Sequence, residues 1–302
     1  MTADERWVFI NGEYKRKEEA VVSVFDHGFL YGDGIFEGIR VYDGNIFRLK
    51  EHIERLYDSA KSILLHLPYT REEMEDLVCE AVRKNGLRDA YIRLVVSRGP
   101  GDLGLDPSKC KSPNVIIIVD QVRLFAREMY EKGISVITVP TRRNIPDALD
   151  PKIKSLNYLN NILVRIEANK AGVAEALMLG MNGYVAEGSG DNVFIVKRGV
   201  LYTPPCYIGA LEGVTRNAIM ELAEKLGYVV KEQPFTRHDV YVADEVFLTG
   251  TAAEVIPVVE VDGRSIGTGV PGVIAKQLME EFAKVVKVDG IHAYGGHQAQ
   301  VR

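Results

Sequence analysis

Five times along this chain a short run of strand-forming residues stops at a residue–glycine pair and then resumes. The pairs are Asn11-Gly12, Asp43-Gly44, Asn182-Gly183, Arg198-Gly199 and Asp262-Gly263. Such pairs suit two-residue turns with positive φ, whose twist matches that of the flanking strands. The chain is thereby committed to antiparallel hairpins. Strands are predicted over 7–10 with 13–14, 21–25, 36–42 with 46–49, 91–97, 114–120 and 134–141. Further strands are predicted within 176–187 and 192–202, and over 228–232, 245–249 and 255–261. Apolar residues at helical spacing predict a helix over 50–66, on Ile53, Leu56, Ala60, Ile63 and Leu64. Another opens on the capping box Thr70/Glu73 and closes at Asn85-Gly86. Helices follow at 126–132, at 159–172 with an apolar stripe on Leu159, Ile162, Leu163 and Ile166, at 214–226, and at 271–286 with Pro271 at its first position.

No strand–helix–strand alternation is apparent, so the expected class is α+β, in two domains. The expected division is 1–122, a small domain, 123–130, a connection, and 131–302, a large domain. The polar, glycine-bearing tail 290–302 is expected to be disordered.

The net charge of -5 and a pI near 5.8 give no reason to expect nucleic acid or an anionic membrane surface. The longest apolar strand-like run, 115–119, is far shorter than a membrane span. The three cysteines show no pairing or metal-ligand spacing, and the first six residues contain no secretory core, so a reducing cytoplasm is expected. The histidines are scattered without an i, i+4 pair, and no zinc site is expected.

Lys154 precedes the 159–172 helix, behind a Pro-bearing loop. A lysine drawn into a cleft loses hydration, which favours the neutral, nucleophilic amine that forms Schiff bases. Leu211-Glu-Gly-Val-Thr215 runs into a helix, where free N–H groups and the helix dipole favour an anion. Gly250-Thr251-Ala252 is a small-residue turn able to present N–H donors. Glu187, expected on a turn between strands, could hold a proton on an aromatic ring nitrogen. Arg55, three residues after His52 and on the same helix face, could meet a phosphate. Each feature also has an ordinary structural reading as a solvated side chain, a cap or a tight turn. Together they match what pyridoxal phosphate requires.

The chain also resembles the branched-chain amino acid aminotransferases, members of fold type IV of the pyridoxal-phosphate enzymes. The resemblance rests on Tyr31-Gly-Asp-Gly-Ile-Phe-Glu-Gly-Ile-Arg40, His52-Ile-Glu-Arg-Leu56, Ala90-Tyr-Ile-Arg93, Lys154-Ser-Leu-Asn-Tyr158, Glu187-Gly-Ser-Gly-Asp-Asn192, Gly213-Val-Thr-Arg216 and Gly250-Thr-Ala-Ala-Glu254. These segments keep family order from about Val8 to Phe282. The resemblance implies an active site at the domain interface. It implies Lys154 as the catalytic, cofactor-bearing lysine, Glu187 at the pyridinium nitrogen and Tyr158 near the phenolic oxygen. Arg55, Gly213, Val214, Thr215, Gly250 and Thr251 would serve the phosphate, and Leu211 would pack on the ring. Tyr31, Phe36, Gly38, Tyr91 and Arg93 would line the substrate pocket, with Thr251 and Ala252 taking the α-carboxylate. Leu105, in the segment from Leu103, would reach a neighbouring subunit, so a homodimer is the expected minimum and a hexamer stays open.

Strand alternation puts Tyr91 and Arg93 on one face, where the guanidinium could meet the second carboxylate of glutamate. Arg98, and Arg142 and Arg143 in the 141–150 loop, add cations near the expected cleft. The expected reaction is transamination of leucine, isoleucine or valine with 2-oxoglutarate. The alternatives are D-amino-acid aminotransferase or aminodeoxychorismate lyase chemistry on the same fold, or a non-catalytic phosphate-metabolite binder.

Overall fold

The computed structural model describes residues 6–121 and 125–295. The elements run β1 (Trp7–Ile10), β2 (Glu13–Arg16), α1 (His27–Tyr31), β3 (Gly34–Tyr42), β4 (Asn45–Phe47), α2 (Leu49–Ser62), α3 (Arg71–Asn85), β5 (Ala90–Ser97) and β6 (Asn114–Asp120). Next come α4 (Arg127–Lys132), β7 (Ile134–Thr138), α5 (Pro146–Leu149), α6 (Leu159–Ala171), β8 (Glu175–Leu179), β9 (Val185–Gly188), β10 (Asn192–Lys197), β11 (Val200–Thr203) and α7 (Val214–Lys225). The last are β12 (Val229–Glu232), α8 (Arg237–Tyr241), β13 (Glu245–Gly250), β14 (Glu254–Val261), β15 (Arg264–Ser265), α9 (Val273–Val285) and β16 (Gly290–His292).

Two compact units result. The first comprises 1–122, 154–157 and 285–302; the second comprises 123–153 and 158–284. The continuous 131–302 assignment therefore needs correction at two places. Residues 154–157 lie along β3: Phe36 N–H donates to the Lys154 carbonyl at 2.9 Å and Leu156 N–H to the Gly34 carbonyl at 2.9 Å. The start of the tail is ordered as well, because β16 pairs antiparallel with β4 and buries Ala293.

The first unit is a seven-stranded antiparallel sheet in the order β16-β4-β3-β5-β6-β1-β2. Helix α2 buries Leu49, His52, Ile53, Leu56, Ser59 and Ala60, which matches the predicted stripe at Ile53, Leu56 and Ala60; it ends at Ser62, short of the predicted 66, and Leu64, with φ 53°, is exposed. That face joins Ile35, Ile39, Ile92 and Leu94 in one core. Helix α3 starts on the Thr70/Glu73 capping box and stops where Gly86 turns left-handed at φ 64°. Residues 21–25, expected as a strand, form none; Val21, Val24 and Phe25 are exposed, with Asp26 bridged to Pro100.

The second unit is a nine-stranded sheet in the order β12-β11-β10-β13-β14-β7-β8-β9, with β15 beside β14. It contains parallel pairs that the hairpin pattern does not announce. β7 and β8 run parallel across α6, and β11 and β12 run parallel across α7. β14 also runs parallel to β7, and the hairpin turns that dominate the sequence pattern hide all three parallel pairings. Phe194 and Phe247 stack at 5.0 Å between ring centroids within this sheet. Pro271 precedes α9 by two residues and is not its first residue.

Helix α6 sits where expected but turns the opposite face inward. Asn161, Val164 and Ala168 are buried, whereas Leu159, Ile162, Leu163 and Ile166 are exposed. The inward side packs Val164 and Ala168 against Val139, Ala176 and Met178, while the Asn161 side-chain amide donates to the Ser189 carbonyl at 2.8 Å.

Candidate active site

In the first unit, Lys154 is held by its backbone. Its N–H donates to Ser59 Oγ on α2 at 3.2 Å and its carbonyl accepts from Phe36. The side chain is half-buried, with Nζ 4.7 Å from the Phe36 ring centroid. Phe36, Gly38, Tyr91 and Arg93 share one sheet face, since Gly38 pairs with Arg93 and Phe36 with Val95 across β3 and β5. Gly38 is the residue that this face requires, because a side chain there would collide with the Tyr91 hydroxyl.

Arg93 carries an unusual set of neighbours. Its Nη2 donates to Tyr91 Oη at 3.2 Å, and its guanidinium lies over the Phe36 ring at 4.7 Å. Its Nε is buried without a hydrogen-bond partner, and among the described residues no carboxylate pairs with it. The alternative of a structural ion pair therefore does not account for Arg93. Tyr31 and Leu105 stand at the surface: the Tyr31 hydroxyl donates to the Leu103 carbonyl at 2.6 Å, and Leu105 is exposed. Arg98 is a structural staple. It grips Asp33 through Nε and Nη2 at 2.9 Å each, and also donates to the Ile63 and Leu64 carbonyls.

On the core side of β3, Arg55 donates through Nε to Glu37 Oε1 and through Nη2 to Glu37 Oε2, both at 2.8 Å. His52 Nδ1 meets Glu37 Oε2 at 2.7 Å. Burial pushes the Glu37 carboxyl up, but the Arg55 charge and the His52 bond outweigh it and hold the group well below the usual carboxylate range. Burial lowers His52, against the raising effect of Glu37, and the charges of Arg55 and Lys154 push in the same direction as burial. Sequence reasoning passed over Glu37. The available signal was its parity with Ile35 and Ile39, which places a carboxylate on the apolar face of a strand.

In the second unit, Glu187 lies within β9 and is buried, which corrects its expected place on a turn. Arg143 Nε donates to its Oε1 at 2.7 Å, while Leu211 N–H donates to Oε2 at 2.9 Å and Asn192 Nδ2 to Oε2 at 3.4 Å. Arg143 itself is fixed by Asn160 and Asn161, whose Oδ1 atoms accept from its Nη1 at 3.2 and 3.3 Å. A carboxylate offers about four acceptor positions, so one remains on Glu187 for a further donor.

Leu211 is tied at both ends, its carbonyl accepting from Asn192 at 2.9 Å, and this brings the start of α7 beside Glu187. Gly213 is the N-cap of α7 and provides no side-chain cap, which leaves the first-turn N–H groups of Val214 and Thr215 to other acceptors. A side chain at Gly213 would strike Asn192. Gly250, Thr251 and Ala252 form the half-buried turn from β13 to β14, with Asp191 against Gly250. Tyr158 is the N-cap residue of α6.

These features fit a pyridine ring carrying a phosphate. An acceptor remains for a ring N–H, and an uncapped helix start remains for an anion. No group of three or more potential metal ligands occurs among the described residues. Burial raises the Cys79 and Cys206 thiols to about 11, which makes them poor nucleophiles at neutral pH.

The chain belongs to the class IV amino-transferases, whose family model matches residues 34–261. Within that class it is similar to several proteins named branched-chain amino acid aminotransferases. A Methanocaldococcus jannaschii protein, provisionally named a branched-chain-amino-acid aminotransferase, is 54% identical over 95% of this chain and 99% of its own. The solved Escherichia coli branched-chain amino acid aminotransferase superposes with a TM-score of 0.91 at 38% identity, covering 96% of this chain and 98% of that one. The enzyme of the same name from Thermobaculum terrenum, solved in its PLP form, gives a TM-score of 0.85 at 32% identity over 94% of each chain.

Proposed function

We propose that this chain is a pyridoxal-phosphate-dependent aminotransferase. It moves the amino group of leucine, isoleucine or valine to 2-oxoglutarate, giving the branched-chain 2-oxo acid and L-glutamate. When bound, pyridoxal phosphate supplies an aldehyde for the amine and a ring that stores an electron pair.

Lys154 Nζ would be the amine that holds the cofactor's aldehyde, and the same amine would move the proton at the substrate α-carbon. Glu187 accepts from the protonated ring nitrogen at its remaining acceptor position. In the second unit the first turn of α7 would serve a phosphate and Leu211 would pack against the ring; in the first unit Arg55 would serve a phosphate. Tyr158 serves the phenolic oxygen, and the Thr251–Ala252 turn takes the substrate α-carboxylate. Phe36, Tyr91 and the bare Gly38 give the apolar wall that a branched side chain needs. Tyr31 and Leu105, exposed in a single chain, would complete a pocket in a homodimer, the smallest assembly proposed. A hexamer is compatible with the exposed apolar stripe of α6. A cytoplasmic location is part of the same proposal. No helix among the described residues is long and apolar enough to cross a membrane.

The observation that carries this reading is Arg93. A half-buried guanidinium that no carboxylate pairs among the described residues, set among aromatic rings, suits a pocket that must accept an apolar side chain and a second carboxylate in turn. The test is the absorbance spectrum of the purified protein titrated with L-leucine, then with 2-oxoglutarate. A visible cofactor band that falls with leucine and returns with the 2-oxo acid is expected. Turnover with D-alanine alone would move the assignment to the D-amino-acid enzymes. A protein that stays colourless and inactive after added cofactor would leave only the binder.

A further inference from the structure

Glu37 is an expensive residue where it stands. It projects from β3 between Ile35 and Ile39, into the core that α2 covers, and is completely buried. A buried ion pair of this kind adds little to stability compared with apolar residues of the same volume. Something other than packing must account for the arrangement.

The geometry identifies what it does. A guanidinium has five N–H donors in a rigid plane. Glu37 takes one from Nε and one from Nη2, so its two oxygens match one edge of Arg55. A planar group gripped along one edge cannot rotate, and the Nη1 corner is directed away from Glu37. His52 supplies the second anchor: its Nδ1 binds the same Oε2 that accepts from Nη2, which fixes the carboxylate plane. Two side chains, Glu37 from β3 and His52 from α2, thus hold one cation in one orientation. The arrangement lies near Lys154, whose N–H is bonded to Ser59, one helical turn beyond Arg55 on α2.

Resting on the cofactor reading above, we propose that Glu37 is the positioning residue of the phosphate seat. It presents Arg55 already oriented to a phosphate monoester, with His52 holding the carboxylate in place. The orientation is achieved on folding, so binding loses less freedom in ordering the arginine.

The experiment compares two probes on the apo-protein, pyridoxal 5'-phosphate and pyridoxal, which differ only in the phosphate. Binding is read by absorbance, and the adduct is located by borohydride reduction and mass spectrometry. Arg55→Gln should reduce the preference for the phosphorylated probe by about 10- to 100-fold. Glu37→Gln should reduce it by about tenfold while pyridoxal affinity stays within about twofold, because the guanidinium is kept but freed to rotate. His52→Gln should give a smaller loss, of about threefold. A general structural defect would weaken both probes alike, and that result overturns the proposal, as does an unchanged preference in a folded Glu37→Gln. Should that variant not fold, Glu37→Asp keeps the charge but shortens the reach by one methylene. An unchanged preference there overturns the proposal equally, and a reduced one supports it. If neither probe labels Lys154 in the wild-type protein, the cofactor reading itself fails. If both label it and the preference ignores Glu37, only this inference fails.

Discussion

Replacing Arg93 by alanine should separate the two substrates of the proposed reaction. In the structure Arg93 gives one bond to the Tyr91 hydroxyl at 3.2 Å and lies over the Phe36 ring at 4.7 Å. Losing that cation–π contact costs about 0.5–2 kcal/mol, felt by the folded protein whichever substrate is present. A charge-assisted bond from the guanidinium to the second carboxylate of glutamate contributes about 1.5–3 kcal/mol, and only when glutamate or 2-oxoglutarate is bound. Each 1.4 kcal/mol is a factor of about ten, so kcat/KM for glutamate should fall by about 10- to 150-fold. Leucine carries no second charge and loses only packing, so its kcat/KM should change by about threefold or less. The two half-reactions are best measured separately, by single-turnover absorbance with each amino acid on the cofactor-loaded protein. Arg93→Lys keeps the charge and loses the fork, and its glutamate value should fall between wild type and alanine. Equal losses for both amino acids, or a larger loss for leucine, would refute the assignment and return Arg93 to a role in packing.

Lys154→Ala should abolish borohydride labelling and lower transamination by about 10²–10⁴-fold from lost proton transfer alone, with far-UV circular dichroism unchanged; appreciable turnover by the purified variant would contradict it. Acid should destabilise the first unit. The folded pKa of Glu37 lies below its ordinary value and that of His52 below 6.5, so the unfolded chain binds more protons at both groups. The His52 contribution is lost as pH falls below about 6.5 and the Glu37 contribution as it falls below about 4.5, each tenfold difference in proton affinity between folded and unfolded chain being worth about 1.4 kcal/mol. The urea midpoints of wild type and Glu37→Gln should therefore converge in acid, and a gap independent of pH would count against the buried ionised carboxylate. Thr70→Ala removes the capping box of α3 and should cost about 1 kcal/mol in urea unfolding, with Thr70→Ser close to wild type.

Local chemistry was readable where a single residue pair decides the backbone. Asn11, Asp43, Arg198 and Asp262 all take positive φ ahead of a positive-φ glycine, as their turns demand. The capping box of α3 and the glycine that stops it were equally legible. Three features were not. The inward face of α6 rests on Val164 and Ala168 packed against Val139, Ala176 and Met178 and on the Asn161 bond to the Ser189 carbonyl, contacts that periodicity does not encode. The parallel crossovers β7–β8 and β11–β12 depend on pairing between strands separated by a helix. The tail pairs through β16 with a strand more than two hundred residues earlier, and its polarity gave no sign of that. Of the residues that shape the site, Glu37 had a local signal in its parity with apolar neighbours. Arg143 had none, because nothing near it in sequence identifies Glu187 as its partner.

The buried charges divide into two kinds, and the division bears on specificity. Arg55 faces Glu37, Arg98 faces Asp33, and Arg143 faces Glu187. Each pair is compensated by its own carboxylate, which fixes the orientation of the guanidinium. Arg93 differs in having rings and a hydroxyl around it where the others have a carboxylate. Aromatic faces moderate a cation without neutralising it, so the charge stays available while the surroundings remain apolar enough for leucine. A carboxylate opposite Arg93 would remove that choice, since glutamate would have to displace it and leucine would meet an ion pair. Under the proposed role of Arg93, the ability to take both partners of a transamination in one place would follow from the lack, among the described residues, of an acidic partner at this position on the β3–β5 face.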